Sequence, residues 1–176
     1  MEKFELANRE KVETNILEVK KSKFIALVYY IDSQEMAEEK IQEVRDEYKD
    51  ARHVVYAYTL KSSGRFTDDK EPQGTAGKPI YNILEKENLI NVLVVVIRYF
   101  GGILLGAGPL TRAYATVAKD ALNKCDKVPY IEYLDESIIC EYKEEEQVKR
   151  NLQAENCLIE NIIRTEKVEI KYKKPL

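Results

Sequence analysis

The longest apolar run in the chain, Val92 to Ile97, limits what can be built around it. It lies inside Asn91–Phe100 and reads as a strongly buried strand, far short of the roughly 20 residues a membrane span needs. Such a strand requires partners. His53–Leu60 offers one, because Val55, Ala57 and Thr59 alternate with Val54, Tyr56 and Tyr58, and both faces are apolar enough for an interior position. Residues 13–31 read as a strand pair, in which Ile16 and Val19 lead through Lys20–Lys23 into the β-rich run Phe24–Ile31.

Between these strands the period changes. Asp32 and Glu35 stand at capping-box spacing, and Ala37, Ile41, Val44 and Tyr48 then share one helical face, which predicts a surface helix ending near Asp50. A short helix is expected over Ile80–Asn88. Pro109 has the fixed φ favoured at the first position of a helix, and Leu110, Ala113, Val117, Ala118 and Ala121 carry its apolar face to about Lys124. Residues 126–135, with Pro129, read as a boundary. Beyond it Ser137–Tyr142 is a strand, Lys143–Glu155 a helix, and Leu158–Ile163 with Val168–Tyr172 a hairpin. That β-α-β-β order is three quarters of a ferredoxin-like repeat. The expected organisation is therefore α+β, with domains over 1–128 and 129–176, the second short and truncated in appearance.

With 44% hydrophobic and 34% charged residues the chain has enough apolar material for a core, which argues against disorder. Met1–Glu10 has no signal-peptide core, so a cytoplasmic location is expected. Cys125, Cys140 and Cys157 are odd in number and fit no metal or redox spacing, and are expected to be reduced core thiols. The net charge of −3 hides an asymmetry. Residues 1–50 hold 9 basic and 13 acidic side chains, net −4; residues 51–128 hold 11 and 7, net +4; residues 129–176 hold 8 and 11, net −3. A basic centre between acidic flanks can meet a phosphate backbone locally without binding every polyanion.

The connection Lys61–Pro79 contains three glycines and two prolines and is long for an unstructured loop, a common mark of function. A second glycine-rich turn spans Gly101–Gly108. Arg98 ends a buried strand and Arg112 lies in the first turn of the next helix, so the two are expected to converge at one rim. There they either fork to phosphate oxygens or pair with Asp68, Asp69 or Glu71 to fasten the loops. Those carboxylates could instead hold a cation or share a proton. His53, the one histidine, is a structural hydrogen-bonding group or a general base, and lacks a second ligand for zinc. Tyr56, Tyr58, Tyr99 and Phe100 could stack on bases if exposed. The glycines lack the lysine-serine/threonine ending of a P-loop and the third glycine of a dinucleotide fingerprint, so no cofactor is expected, and no metal.

Two segments carry a resemblance. Asp68-Asp69-Lys70-Glu71-Pro72-Gln73-Gly74-Thr75-Ala76-Gly77-Lys78-Pro79 and Arg98-Tyr99-Phe100-Gly101-Gly102 with Gly106–Arg112, taken with Ala51-Arg52-His53 and Tyr56-Ala57-Tyr58, resemble the IMPACT family, the YigZ-like proteins, over nearly the whole chain. The resemblance implies an N-terminal domain like the second domain of a small-subunit ribosomal protein, a sheet with two packed helices, followed by a ferredoxin-like domain. A similar pair closes translation elongation factor G. It also implies a link to translational regulation, known for the eukaryotic members, and places His53 near the glycine loops. Lys70 and Pro109 stand where the family pattern usually has glycine.

The leading expectation is a non-enzymatic, translation-associated regulatory factor whose partner is RNA, the ribosome or a translation-regulatory protein. Its face would be built from Arg98, Arg112, Lys78, His53, Glu71, Asp69, Gly74, Gly77, Gly101 and Gly102. A small hydrolase using His53 with Asp69 or Glu71 and a protein-interaction module sequestering a regulator are the alternatives. No membrane partner is expected. The unfinished second sheet leaves edges that invite a homodimer.

Overall fold

The computed structural model describes residues 1–14 and 16–176. Asn15, inside the expected 13–31 strand pair, lies outside the described residues. The fold is mixed α+β, and the chain divides into two compact units, Met1–Tyr130 and Ile131–Leu176.

In the first unit β1 (Phe4–Leu6), β2 (Val12–Glu13), β3 (Leu17–Val19) and β4 (Ser22–Tyr30) precede α1 (Gln34–Glu47). Then come β5 (His53–Thr59), β6 (Gly64–Thr67), α2 (Gly77–Lys86), β7 (Val92–Tyr99), α3 (Ala107–Asn123) and β8 (Lys127–Pro129). The main sheet runs β2-β4-β7-β5-β6, with β3 also on β4, and every pairing is antiparallel. Because successive strand residues point to opposite faces, β7 needs cover on both sides. Val92, Val94 and Val96 meet Ile80 and Leu84 of α2 and Leu110, Tyr114 and Val117 of α3. Leu93, Val95 and Ile97 meet Ala37, Ile41 and Val44 of α1. The expected two packed helices are thus α2 and α3, and α1 closes the opposite face.

Several boundaries differ from the sequence-based expectation, each through a partner distant in the chain or a local hydrogen bond. The cap of α1 is Ser33, whose hydroxyl accepts from the Met36 amide at 3.3 Å, not Asp32. The loop expected over Lys61–Pro79 contains β6, held to β5 by a turn in which the Leu60 amide donates to the Ser63 carbonyl at 2.7 Å. Helix α2 begins at Gly77 rather than Ile80, because the Asp68 carboxylate accepts the Gly77 amide at 2.9 Å. Pro109 is the third residue of α3 and not the first, which costs nothing because the first four amides of a helix have no intrahelical partner. The boundary segment 126–135 contains β8, which pairs with β1 at the N-terminus.

The second unit runs β9 (Tyr133–Cys140), a 3-10 turn (Tyr142–Glu144), α4 (Glu145–Ala154), β10 (Leu158–Arg164) and β11 (Val168–Pro175). Strand β11 lies between β9 and β10, antiparallel to both, over a core of Cys140, Leu152, Cys157, Val168 and Ile170. This is the split β-α-β-β unit of a ferredoxin-like fold. Cys140 and Cys157 are buried thiols and Cys125 is half-buried; none forms a disulfide. No described helix is long and apolar enough to cross a membrane.

Candidate functional site

One end of the main sheet gathers almost every residue singled out from the sequence. The register places Arg98 opposite both Phe24 and His53. The β3–β4 turn, the start of β5, the loop after β6 and the loop after β7 therefore meet there.

Alternation along β7 decides the fate of Arg98. It shares the face of Val92, Val94 and Val96, so it points under α3 and is only 5% exposed. Its Nη1 donates to Glu71 Oε1 at 2.5 Å and its Nη2 to Ser22 Oγ at 3.2 Å. The rim position expected for Arg98 beside Arg112 is therefore corrected: a strand buried on both faces has no rim side, and Arg98 fastens the loops from within. Its Nε is buried without a hydrogen-bond partner. Glu71 Oε1 also accepts the Tyr114 hydroxyl at 2.7 Å and lies 3.6 Å from His53 Nε2. Burial, then the charge of Glu71 and its hydrogen bond, push the Tyr114 hydroxyl far above its usual range, so it stays a donor. The Tyr114 ring stands edge-on to Phe24, with centroids 5.2 Å apart.

The other two carboxylates of the loop are also engaged. Asp68 receives the amides of Gly74 at 2.8 Å, Ala76 at 3.1 Å and Gly77 at 2.9 Å, so the start of α2 carries an anion supplied by the chain itself. Asp69 accepts the Val54 amide at 2.7 Å through its side chain, and its carbonyl lies 2.7 Å from His53 Nδ1. Among the described residues no group of three His, Cys, Asp or Glu is placed to hold a metal.

The glycines divide by cause. Gly77 and Gly101 permit close approach: a Cβ on Gly77 would lie 2.2 Å from the Thr67 carbonyl oxygen, and one on Gly101 would lie 2.1 Å from the Lys21 backbone carbon. Gly74 and Gly102 have φ of +78° and +83° with open space around them, so conformation alone selects them. Lys70 has φ 67°, which explains why glycine suits that place in the family pattern and why lysine there is strained.

The charged side chains that face water at this end are mostly basic, with Glu18 and Asp50 as exposed carboxylates among them. Lys78 on α2 and Arg112 on α3 are exposed, as are Lys20, Lys21, Lys23, Arg52 and Lys70. The Arg112 guanidinium folds back over Gly108, beside an α3 N-terminus that no side chain caps. Of the aromatics, Tyr56 and Tyr58 are buried, Tyr99 donates to Asp50, and Phe100 is exposed. Sequence reasoning missed Tyr114 and Ser22. Tyr114 had a signal, since a hydroxyl on the apolar face of α3 must find a partner. Ser22 had none, because only the β4–β7 register brings it to Arg98.

A helix-covered antiparallel sheet, closed at one end by two glycine loops locked over a buried glutamate–arginine pair and followed by a split β-α-β-β unit, defines a class of two-unit α+β proteins. Residues 20–122 match the Impact N-terminal domain, and the chain belongs to the IMPACT family. It is 39% identical over 137 residues to the IMPACT family member YigZ of Escherichia coli (strain K12), spanning 73% of this chain and 66% of that protein. It is 34% identical over 151 residues to the IMPACT family member in the pol 5' region of Thermus thermophilus, spanning 83% of each. A crystal structure of a hypothetical protein superposes with a TM-score of 0.72 at 31% identity, covering 99% of this chain and 85% of the other.

Proposed function

We propose that the basic end of the main sheet contacts the phosphate backbone of RNA in the translation apparatus, and that the protein acts there as a non-enzymatic regulatory factor. The observation that carries this reading is an imbalance of partners. Lys20, Lys21, Lys23, Arg52, Lys70, Lys78 and Arg112 are exposed and in no ion pair among the described residues. The carboxylates of the loop after β6 are all turned inward, onto backbone amides or Arg98. The segment 100–112 contains no acidic residue. Glu18 stands opposite Lys23 in the hairpin register but forms no ion pair with it. Unpaired exposed cations lose little on meeting phosphates and release counterions when they do. The translation setting comes from what the family resemblance implies, and fold likeness alone would not license it.

The hydrolase reading meets a geometry in which His53 already contacts the Asp69 carbonyl on one ring nitrogen and faces Glu71 on the other, with its side chain 12% exposed. Nothing in that arrangement favours it over the RNA reading.

Co-sedimentation with ribosomes and with free structured RNA over a salt series tests the proposal. Binding is expected to weaken log-linearly with salt, and Lys21→Ala/Lys23→Ala/Arg112→Ala to flatten the slope by about one for each phosphate contact removed. Absence of co-sedimentation at low salt would sink the RNA reading and bring forward a protein partner. Arg98 is unsuitable for this test, because its removal unfastens the loops.

A further inference from the structure

The loop after β7 shows apolar side chains to solvent in the middle of the basic end. Phe100 is 42% exposed, Ile103 43% and Leu104 84%. A single exposed leucine means little, but three large apolar side chains within five residues of one loop form a patch. The loop holds Ile103 and Leu104 outward, because it is pinned on both sides of them. On one side the Gly101 amide donates to Ser22 Oγ at 3.3 Å, and the Gly101 backbone is pressed against Lys21 with no room for a Cβ. On the other, Leu105 is buried in the core beneath α3 and Gly106 caps that helix. Only Gly102, Ile103 and Leu104 project between the anchors. The Phe100 ring is backed by the Arg98 guanidinium, 5.6 Å from its centroid.

Resting on the phosphate reading above, we infer that this loop is a base-contacting finger, and that the preferred RNA has unpaired nucleotides rather than a continuous duplex. In a duplex the base faces are occupied by stacking, so an exposed aromatic ring and a projecting leucine find nothing to cover. In loops, bulges and single strands the bases splay out and stack on such side chains. The contact to Lys21 fixes the finger relative to the lysines of the β3–β4 turn. One rigid surface thereby presents backbone contacts and base contacts together.

Fluorescence anisotropy with a single-stranded RNA of about 12 nucleotides and a duplex of the same length tests this. The wild type is expected to bind the single strand about tenfold more tightly than the duplex, and Phe100→Ala/Leu104→Ala to lose about that factor on the single strand only. The salt slope should stay unchanged in that variant, and Leu104→Ala alone, at a side chain 84% exposed, should leave the thermal midpoint unchanged while still weakening single-strand binding. If the variant binds the single strand like the wild type, or weakens equally on both RNAs, the finger is not a base contact, while a surviving salt slope leaves the phosphate reading intact. Failure of the wild type to bind either RNA at low salt removes both. A parallel titration with anionic phosphatidylglycerol vesicles covers the remaining occupant. Loss of vesicle binding in the variant with RNA binding unaffected would make the loop a membrane-surface contact and overturn the inference.

Discussion

Each unit of the molecule contains a glutamate–arginine pair, and the two behave differently because of where their neighbours put them. Glu71 and Arg98 meet beneath α3, with side chains 4% and 6% exposed, and Glu71 takes a second hydrogen bond from Tyr114. Glu145 and Arg164 meet at 2.5 Å in the second unit, but Arg164 is 49% exposed and Lys149 reaches the same carboxylate at 2.6 Å. Hydrogen bonds from Arg164 and then Lys149 pull the Glu145 carboxyl down to about 2. The first pair replaces most of its lost hydration with protein partners and leaves Arg98 Nε without one. In the second only Arg164 keeps much of its water, while the Glu145 carboxylate is buried and held by two cations. A pair buried on both sides therefore fixes two loops in place, whereas a half-exposed pair tunes a titration.

Breaking the buried pair gives the largest expected effect. Arg98→Ala leaves the Glu71 carboxylate without its main partner and should destabilise the first unit by about 3–5 kcal/mol, measured by urea unfolding. Adding Glu71→Gln to Arg98→Ala should recover part of that loss, because the stranded charge is gone. Equal destabilisation in the single and double variants would show that the pair's neighbours, and not its charge, hold the loops.

A smaller effect separates the loop anchors. Gly101→Ala forces a Cβ into the Lys21 backbone beside Ser22 and should cost about 1–3 kcal/mol. Gly102→Ala, next to it, meets only its left-handed φ, at about 1–2 kcal/mol. Thermal midpoints should drop further for the first, and that variant should also perturb the Ser22 amide in NMR spectra. A reversed order would mean that the Lys21 turn yields freely.

The smallest effect belongs to the Glu145–Arg164 pair. The folded-state carboxyl of Glu145 lies below its ordinary value of 4.5. Its contribution to stability is therefore present above about 4.5 and is lost as pH falls toward 2. Arg164→Ala should move the Glu145 titration, followed by NMR, back up toward the ordinary range and raise the pH at which that contribution fades. An unchanged midpoint would assign the shift to Lys149.

Residue order alone made much of this molecule legible. The apolar run of β7, the two-faced pattern of β5, the helical faces of α1 and α3 and the β-α-β-β order of the second unit all follow from side-chain period, which is local and survives in a one-dimensional reading. The glycine-rich motifs likewise identified the family and the segments of the candidate site. Tertiary structure decided what each charged residue does. Arg98 and Arg112 look alike in sequence, each beside a glycine loop. One is buried against Glu71 and the other is exposed, because β7 is covered on both faces while Arg112, in the second turn of α3, lies on the side that meets solvent. The start of α2, strand β6 and the β1–β8 pair also depended on partners far away in the chain. Periodicity records which side of an element is apolar, but a hydrogen bond or ion pair needs two groups at one place, and only the folded register supplies the second.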